Sequence, residues 1–338
     1  MKKLYLHMGF HKTATSSLQQ TCRKSLEQLS EQGYEFPIFK SNYIELDEIC
    51  NHSIPIYSIY CKSPQLYDTN LIYKSRNIEK LNKDYRDQFN KSLQTSKNII
   101  LSGEDISILS KSSLIKLKGD IEFHNFKIIP LVVIRSPYEY HCSIIQQKIK
   151  TGHHLSITKF ISQQEKINKI LEVFPETKMF SFKGICKHEH GPVGELLESM
   201  GININKIRIR SSNEGISNTG VRIQNGFNKK VPRFIDGALN EKWDKVYLKG
   251  ERYFHNKFLL TEQELESIQQ ELSIENEFFK SKLGSNFSDQ KIKTSDPESC
   301  FDELAKFFQS NREKVDKKTS FSSLSIKLKR YKNRFFKF

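Results

Sequence analysis

The sequence has no long hydrophobic run and no closely spaced pair of cysteines, and each absence argues against a class of protein. Its densest apolar stretch, residues 128–134, is interrupted by Pro130 and is far shorter than the roughly 20 residues of a membrane-spanning helix. The apolar start of the chain is broken by His7, Gly9 and His11, so we expect no secretion signal. The six cysteines include no Cys-x-x-Cys pair, which favours reduced thiols in a cytoplasmic protein.

Acidic residues are in the minority, with 39 Asp and Glu against 54 Lys and Arg and a net charge of +15. The excess is uneven, because residues 314–338 contain nine Lys and Arg and one acid, Asp316. This distribution predicts a basic tail rather than a nucleic-acid-binding surface over the whole chain. The 24 Phe and 13 Tyr residues can fill a sizeable core, which excludes a wholly disordered chain.

The hydrophobic pattern alternates between strands and helices along most of the chain. Strands are predicted at 3–8, 34–38, Asn98–Ser102, Phe126–Ile134, 178–182 and 206–209, although Pro130 argues against the fourth. Helices are predicted after the first strand, after residue 136, at 193–200, at 261–283 and at 297–309. Residues 40–90 are expected to form a helical or loop insertion, and the Ser/Asn/Gly-rich residues 211–230 an extended loop. Strands that alternate with helices predict an α/β fold with a parallel sheet.

Two capping boxes mark helix starts within this pattern. Ser136 is followed by Pro137 and Glu139, and Thr261 is followed three residues later by Glu264. In a capping box the first side chain bonds to a backbone N–H of the first turn, and the acidic side chain bonds back to the cap. Both sites therefore predict the first turn of a helix.

The segment 7–19, HMGFHKTATSSLQ, lies where the first strand passes into the first helix. Such a junction directs backbone N–H groups and the positive end of a helix to one place, which favours a phosphate or sulfate group. Lys12 adds a mobile positive charge. Hydroxyl groups follow at Thr13, Thr15, Ser16 and Ser17. The ATP-binding loop G-x-x-x-x-G-K-[ST] has glycine before its lysine, whereas this loop is shorter and has His11, so we expect a ligand other than ATP.

The segment resembles the 5′-phosphosulfate loop of sulfotransferases that use 3′-phosphoadenosine-5′-phosphosulfate (PAPS). It is most similar to bacterial carbohydrate-type members, whose loop often reads H-K-T-G-T-[TS]-S-L-Q; this chain differs at Ala14, where glycine is usual. The resemblance implies a P-loop NTPase-like three-layer sandwich with a central parallel sheet, to which a helical C-terminal extension is added. It also implies that PAPS is bound by His11, Lys12, Thr13, Ala14, Thr15, Ser16 and Ser17. The alternative is an ordinary Ser/Thr-rich helix start with a solvated lysine.

A second motif agrees with the first. In this family an arginine at the end of a later strand, and a serine eight residues beyond it, bind the 3′-phosphate of PAPS. The sequence LVVIRSPYEYHCSIIQQ has Arg135 and Ser143 at that spacing. Arginine offers phosphate a planar fork that is always charged. The alternative is a strand-end arginine in an ordinary salt bridge.

Sulfuryl transfer to a hydroxyl group needs a base that removes the proton of that hydroxyl. Two residues are candidates for this base. Glu104 follows the strand Asn98–Ser102 in the sequence Ser-Gly-Glu, where the family often has Ser-x-Glu. A carboxylate at the carboxyl edge of a parallel sheet is well placed for this role, although it could equally be a surface charge or a helix cap. His52 is the rival base, because similar bacterial sequences often carry Asn-His in this region; a lone histidine is more often structural.

Residues 186–190, with the sequence CKHEH, resemble a metal site at first sight. The cluster is short and has no partner ligands elsewhere in the sequence, and sulfuryl transfer needs no metal. We therefore expect no metal site.

The motifs together predict a cytoplasmic PAPS-dependent sulfotransferase that acts on a hydroxyl, or less favourably an amine, of a carbohydrate or glycolipid. The alternatives are a P-loop kinase for a small metabolite, which would need ATP and Mg²⁺, and a non-catalytic protein that binds a membrane or nucleic acid. We expect a sulfotransferase domain at 1–285, a linker and helix at 286–312 and a basic tail at 313–338. The tail interleaves basic residues with Phe335, Phe336 and Phe338, which suits either an anionic membrane surface or a solvated tail.

Overall fold

The structure of the protein is a computed structural model. It describes residues 1–10, 12–210, 216–236, 238–243, 256–284, 287, 292–296, 298, 300–306 and 309. The predicted basic tail and His11 lie outside the described residues.

The main sheet contains five parallel strands in the order β2-β3-β1-β4-β5. The strands are β1 (Lys2–His7), β2 (Tyr34–Glu35), β3 (Asn98–Ser102), β4 (Phe126–Ile134) and β5 (Lys178–Ser181). Two further short strands, β6 (Phe234–Ile235) and β7 (Ala238–Leu239), pair antiparallel to each other. Because β1 lies between β3 and β4, the segments that follow these three strands leave one edge of the sheet side by side.

The helices occupy most of the connections between the strands. They are α1 (Thr15–Lys24), α2 (Leu26–Glu31), α3 (Ser53–Tyr60), α4 (Asp68–Ile72), α5 (Ile78–Ser92), α6 (Lys111–Phe123), α7 (Pro137–Lys150), α8 (Gln164–Val173), α9 (Phe182–Ile185), α10 (Gly191–Ser199), α11 (Asn218–Lys230), α12 (Glu262–Glu266) and α13 (Gln269–Leu283). Short 3-10 helices lie at Pro64–Leu66, Asp105–Ile108 and Ile204–Lys206. Residues 40–90, where a helical or loop insertion is predicted, lie between β2 and β3 and are largely helical. No described helix is both long and apolar enough to cross a lipid bilayer.

The alternation of side chains along the strands divides the core into two layers. Leu4 and Leu6 of β1 lie in an apolar cluster with residues of α3, α5, α6 and α8. Tyr5, between them, lies in a second cluster with residues of α1, α2 and α10. Helices thus cover both faces of the sheet, and the predicted three-layer α/β sandwich with a central parallel sheet is confirmed. A third cluster joins α7 to α11, α12 and α13.

Pro130 lies inside β4 and does not interrupt it. The carbonyl of Leu131 accepts a hydrogen bond from the N–H of Met8, at 3.0 Å. The backbone polar groups of Leu131 therefore point towards β1, and the backbone nitrogen of the preceding Pro130 points to the opposite side of β4. On that side the pairing with β5 begins only at Leu131, opposite Lys178. The missing N–H of proline therefore costs no hydrogen bond between strands.

The prediction of an extended loop at 211–230 was wrong for Asn218–Lys230, which is helix α11, and its first part, 211–215, lies outside the described residues. The buried face of α11 is largely polar: Asn225 Nδ2 donates to the carbonyl of Leu155 at 2.8 Å, and Asn228 Nδ2 donates to the carbonyl of Ile149 at 2.8 Å. Trp243 Nε1 completes the set by donating to Asn228 Oδ1 at 2.8 Å. The helix is thus fixed largely by amide side chains that bind carbonyls at the C-terminal end of α7 and just after it. Val221 is the one apolar side chain among its buried residues, so the sequence shows little apolar periodicity there.

Other predicted boundaries need smaller corrections. Residues 206–209 are not a strand: a 3-10 helix ends at Lys206, and the N–H of Arg210 donates to Thr21 Oγ1 at 3.0 Å. The second strand is shorter than predicted, and the helix predicted at 261–283 is two helices, α12 and α13. Thr261 and Glu264 do form a capping box. Ser136 makes no side-chain cap bond, and Glu139 Oε2 lies 3.7 Å from Arg135 Nε.

Part of the predicted C-terminal extension packs against the sheet domain. Residues 300–306 are helical, and Glu303 accepts hydrogen bonds from Thr219 Oγ1 of α11 and, at 3.0 Å, from the N–H of Asn256. Cys300 Sγ lies 3.3 Å from Asn218 Nδ2. The helical extension is therefore attached to α11, while the domain boundary at 285 stays a prediction. None of the six cysteines forms a disulfide.

Candidate functional site

The segment predicted to bind phosphate lies between β1 and α1, and two of its residues have left-handed backbone. Lys12 and Ala14 have φ of 63° and 68°, whereas Thr13 between them does not have a positive φ. Left-handed residues in a turn can direct neighbouring N–H groups towards one side, as in concave anion sites. Ala14 is also the N-cap of α1, since its carbonyl accepts from the N–H of Leu18 at 2.9 Å. The loop and the positive helix end therefore coincide.

Gly9 is required at the base of this loop by close packing. A Cβ atom at Gly9 would lie 2.1 Å from Thr15 Oγ1 and 3.2 Å from His7 Cε1. The loop is further closed by Thr13, whose hydroxyl donates to the carbonyl of Phe10 at 2.5 Å. Any side chain at Gly9 would push α1 away from the strand.

The remaining residues of the loop differ in exposure. Lys12 is half-buried, Ser16 is exposed on the first turn of α1, and Ser17 is buried. Thr15 is 1% exposed, and its Oγ1 has no hydrogen-bond partner within the described chain. A buried hydroxyl without a partner is costly, so Thr15 Oγ1 is suited to a bound anion, and the loop fits the phosphosulfate group that the sequence implies.

Arg135 and Ser143 are brought together as the spacing predicts. Arg135 Nη1 donates to Ser143 Oγ at 3.2 Å. The guanidinium also lies over the ring of Phe182, 4.5 Å from its centroid, and its Nε is 3.7 Å from Glu139 Oε2. Burial lowers the pKa of Arg135, and Glu139 acts in the opposite direction. The result is a cation held in one orientation, with a hydroxyl beside it, directly after β4.

Glu104 follows β3 and begins the 3-10 helix Asp105–Ile108. Its position is fixed on both sides. The preceding Gly103 lies so close to α3 that a Cβ atom there would be 2.5 Å from the backbone N of Ser53. The following Asp105 donates its N–H to Ser53 Oγ at 2.9 Å. The backbone of Glu104 is therefore held at the edge of the sheet, and its carboxyl group acts to raise the pKa of His7 and Tyr140.

His52 lies close to the same edge but has a structural set of contacts. It is fully buried, its Nδ1 accepts from the N–H of Ser102 at 2.8 Å, and its Nε2 lies 2.7 Å from the carbonyl of Pro37. The ring packs on Phe36, with the centroids 4.5 Å apart. Burial lowers the pKa of His52 to about 4. Both ring nitrogens of His52 are bonded to the backbone, so neither can accept a proton without losing a hydrogen bond.

Two residues that hold this edge together were missed in the sequence. Gln19 Nε2 donates to the carbonyl of Ser102 at 2.8 Å and to Asn51 Oδ1 at 3.1 Å. Asn51 Oδ1 in turn accepts from the N–H of Ser53 at 3.0 Å. These bonds connect α1, the end of β3 and the start of α3. The sequence did contain an indication of this role, because Gln19 is a polar residue next to Leu18 on the buried side of α1.

The three predicted motifs therefore leave the sheet from adjacent strands. The loop after β1 is flanked by Glu104 after β3 and by Arg135 after β4. The carboxyl edge of an open parallel sheet is where such folds bind ligands. The predicted site residues share this edge, and His11 lies outside the described residues.

The cluster at 186–190 is not arranged around a metal. His188 Nε2 is 3.0 Å from Glu198 Oε2, and His188 Nδ1 accepts from the N–H of His190 at 3.1 Å. No group of three or more His, Cys, Asp or Glu side chains among the described residues is close enough to hold a metal ion.

Comparison with known proteins gives one structural neighbour. The chain matches no protein-family model and no curated protein. Its fold is similar to that of a sulfotransferase from Alicyclobacillus acidocaldarius, with 12% sequence identity and a TM-score of 0.39, over 68% of this chain and 93% of the other.

Proposed function

We propose that this protein is a sulfotransferase that transfers the sulfuryl group of PAPS to a hydroxyl, or less favourably an amine, of a carbohydrate or glycolipid. The observation that carries the proposal is the pairing of two anion sites on adjacent strands. The loop after β1 offers N–H groups, Lys12 and hydroxyls, and the end of β4 offers the Arg135–Ser143 pair. PAPS has two separate anionic groups, at its 5′ and 3′ positions, and two such sites suit it.

Each element has one role in this proposal. The loop residues Lys12 to Ser17 hold the 5′-phosphosulfate, and Lys12 neutralises the charge that develops on the leaving phosphate. Arg135 and Ser143 hold the 3′-phosphate. When bound, PAPS supplies the sulfuryl group, whose bond to the 5′-phosphate oxygen breaks as the acceptor oxygen bonds to sulfur. Fixed charges and positioning provide the catalysis, as in phosphoryl transfer.

Glu104 is the proposed base, and its carboxylate takes the proton that the acceptor hydroxyl loses. It is supported by its place beside the loop and by the contacts of Gly103 and Asp105 with α3, which hold the backbone on either side of Glu104. We assign His52 a structural role, because accepting a proton would require breaking one of its two backbone bonds.

Isothermal titration with adenosine 3′,5′-bisphosphate, the desulfated product, tests the proposal against the kinase alternative. We expect micromolar or tighter binding of the bisphosphate and no binding of ATP–Mg²⁺. The Arg135→Ala protein should lose at least about tenfold in affinity. Arg76→Ala is the matched control, since the Arg76 side chain is 75% exposed and its Nη2 lies 3.8 Å from Glu45 Oε1 in a surface ion pair.

The outcomes separate the functions. Binding of ATP–Mg²⁺ alone would reassign the protein to the kinases. Binding of neither nucleotide would favour the non-catalytic alternative. Bisphosphate binding that is unchanged in Arg135→Ala would remove Arg135 from the site. For the reaction itself we propose a cytoplasmic location, with the basic tail in contact with the membrane surface.

A further inference from the structure

His7 is a buried histidine of the site edge that the proposed mechanism does not use. It is the last residue of β1 and is fully buried. Its Nδ1 lies 2.9 Å from Ser102 Oγ. Cε1, the ring carbon between the two nitrogens, is 3.2 Å from the position that a Cβ atom would take at Gly9. The imidazole is thus wedged between the end of β3 and the first residue of the loop.

The second ring nitrogen of His7 distinguishes it from comparable histidines. His7 Nε2 has no hydrogen-bond partner within the described chain. By contrast, His52 uses both nitrogens, and so does His141, whose Nε2 is 3.1 Å from the carbonyl of Ile157 and whose Nδ1 accepts from the N–H of Ile161. All three are fully buried. Because a buried polar atom without a partner is costly, His7 Nε2 is an exception that needs a function.

A second buried polar atom without a hydrogen-bond partner among the described residues also lies beside Gly9. Thr15 Oγ1 is 2.1 Å from the same Cβ position that His7 Cε1 approaches, and it also has no partner among the described residues. Two buried polar groups from two different elements therefore flank the base of the anion loop. A bound anion offers acceptor oxygens to both.

The charge state of His7 decides which of its ring nitrogens can donate a hydrogen bond. Burial lowers the pKa of His7 to about 4, although Glu104 acts in the opposite direction. The ring is therefore neutral at physiological pH, with one nitrogen a donor and the other an acceptor. If the hydroxyl of Ser102 donates to Nδ1, the proton lies on Nε2, which faces the loop side of the ring.

We propose that His7 is a further binding residue, whose Nε2–H donates to the 5′ anionic group held by the loop, with Ser102 fixing the tautomer. This inference rests on the proposed function. A neutral donor adds a hydrogen bond to the anion without adding a charge that would also attract the carboxylate of Glu104.

Two substitutions of His7 by an amide residue test which of its ring nitrogens binds the anion. Gln places its amide near Nε2, whereas Asn places its amide near Nδ1. With adenosine 3′,5′-bisphosphate, His7→Asn should bind about 10- to 100-fold more weakly than the wild type, and His7→Gln within about threefold of it. With adenosine 3′-monophosphate, which has no 5′ group, neither variant should change the affinity. His141→Asn is the control for a buried histidine that faces away from the loop.

The outcomes distinguish this inference from the proposed function. If the wild type binds no bisphosphate, the proposed function fails and the inference with it. If the wild type binds and His7→Asn binds equally well, or if His7→Asn weakens both nucleotides equally, only the inference is overturned.

Nitrogen-15 spectra of the wild-type imidazoles give a test that does not depend on folding of the Asn variant, with the His7 signal assigned from His7→Gln. A proton on Nε2, and a shift of that nitrogen on bisphosphate binding, are expected. A signal that does not move at saturation would overturn the inference.

Discussion

Arg135 Nη1 lies 3.2 Å from Ser143 Oγ, two turns along α7 from the end of β4. The guanidinium is held in place by the ring of Phe182 on one side and by Glu139 on another. A cation fixed in this way loses little freedom when it binds a phosphate, because its orientation is set beforehand. The pair is therefore a preformed site, and its two members should contribute unequally.

The Ser143→Ala protein should bind adenosine 3′,5′-bisphosphate about 3- to 10-fold more weakly, since a single neutral hydrogen bond contributes about 1 kcal/mol. The loss should be smaller than in Arg135→Ala, where a charged fork is removed. Titration with adenosine 5′-monophosphate is the control, because its affinity should not depend on Ser143. An equal loss for both nucleotides would contradict the assignment of Ser143 to the 3′-phosphate.

The Lys12→Ala protein should lose turnover by about 10²–10³-fold, as when a donor to a developing oxyanion is removed. Its melting temperature should stay that of the wild type, because alanine tolerates the positive φ of position 12 about as well as lysine does. Release of the bisphosphate from PAPS, in the presence of a mixture of simple glycosides, measures turnover. The exposed Lys24 at the end of α1 provides the control, Lys24→Ala. Retained turnover in Lys12→Ala would remove Lys12 from the mechanism.

The Ala14→Gly protein should unfold with a free energy equal to the wild type or higher by up to about 1 kcal/mol. Ala14 has φ of 68°, and left-handed backbone costs alanine about 1 kcal/mol more than glycine, offset in part by the greater freedom of glycine in the unfolded chain. Gly33→Ala is the reverse control, since Gly33 has φ of 83° and open space around it. That variant should lose about 1 kcal/mol. Urea denaturation measures both, and a loss in Ala14→Gly would contradict the expected strain.

The free energy of unfolding should fall as the pH is lowered from about 6.5 towards 4. Burial lowers the pKa of His7, His52 and His141 from 6.5 to about 4 in each case. In that window the histidines of the unfolded chain bind protons that those of the folded chain do not. Their contribution to the free energy of unfolding is therefore fully present above the unfolded pKa and is lost as the pH falls.

Each histidine contributes at most about 1.4 kcal/mol per pH unit to this slope. Urea denaturation across the window measures it. His141→Asn should reduce the slope by about one third, and a slope that is unchanged in this variant would show that other groups dominate.

The basic tail gives a prediction that depends on sequence alone. Removing residues 314–338 takes away a net charge of +8, nine Lys and Arg against Asp316. Co-sedimentation with vesicles rich in anionic lipid should therefore fall strongly in the truncated protein, while neutral vesicles should pellet neither form. Equal pelleting of both forms with anionic vesicles would leave the tail as a solvated segment.

The sequence predicted the sheet and the order of the motifs well, because these depend on local patterns. The strand at Phe126–Ile134 follows from its apolar run, and Pro130 proved harmless because its missing N–H faces an unpaired side of β4. The spacing of Arg135 and Ser143 is also local, since two turns of one helix fix it.

The features that the sequence did not reveal depend on contacts between distant segments. His52 is indistinguishable from a base until its two backbone partners, at Pro37 and Ser102, are known. The buried amides of α11 have no hydrophobic period, so a helix fixed by side-chain hydrogen bonds looked like a loop. The inference about His7 rests on its Nε2, which has no hydrogen-bond partner among the described residues, and no pattern of residue types conveys that.

The contact of Gly103 with the start of α3 has a consequence for protein engineering. Because Ser53 touches both Gly103 and Asp105, the insertion at 40–90 and the backbone on either side of Glu104 form one mechanical unit. A chimaera that exchanges this insertion must keep the segment Asn51 to Ser53 together with Gly103. A graft made at the ends of β2 and β3 alone would shift the backbone on either side of Glu104.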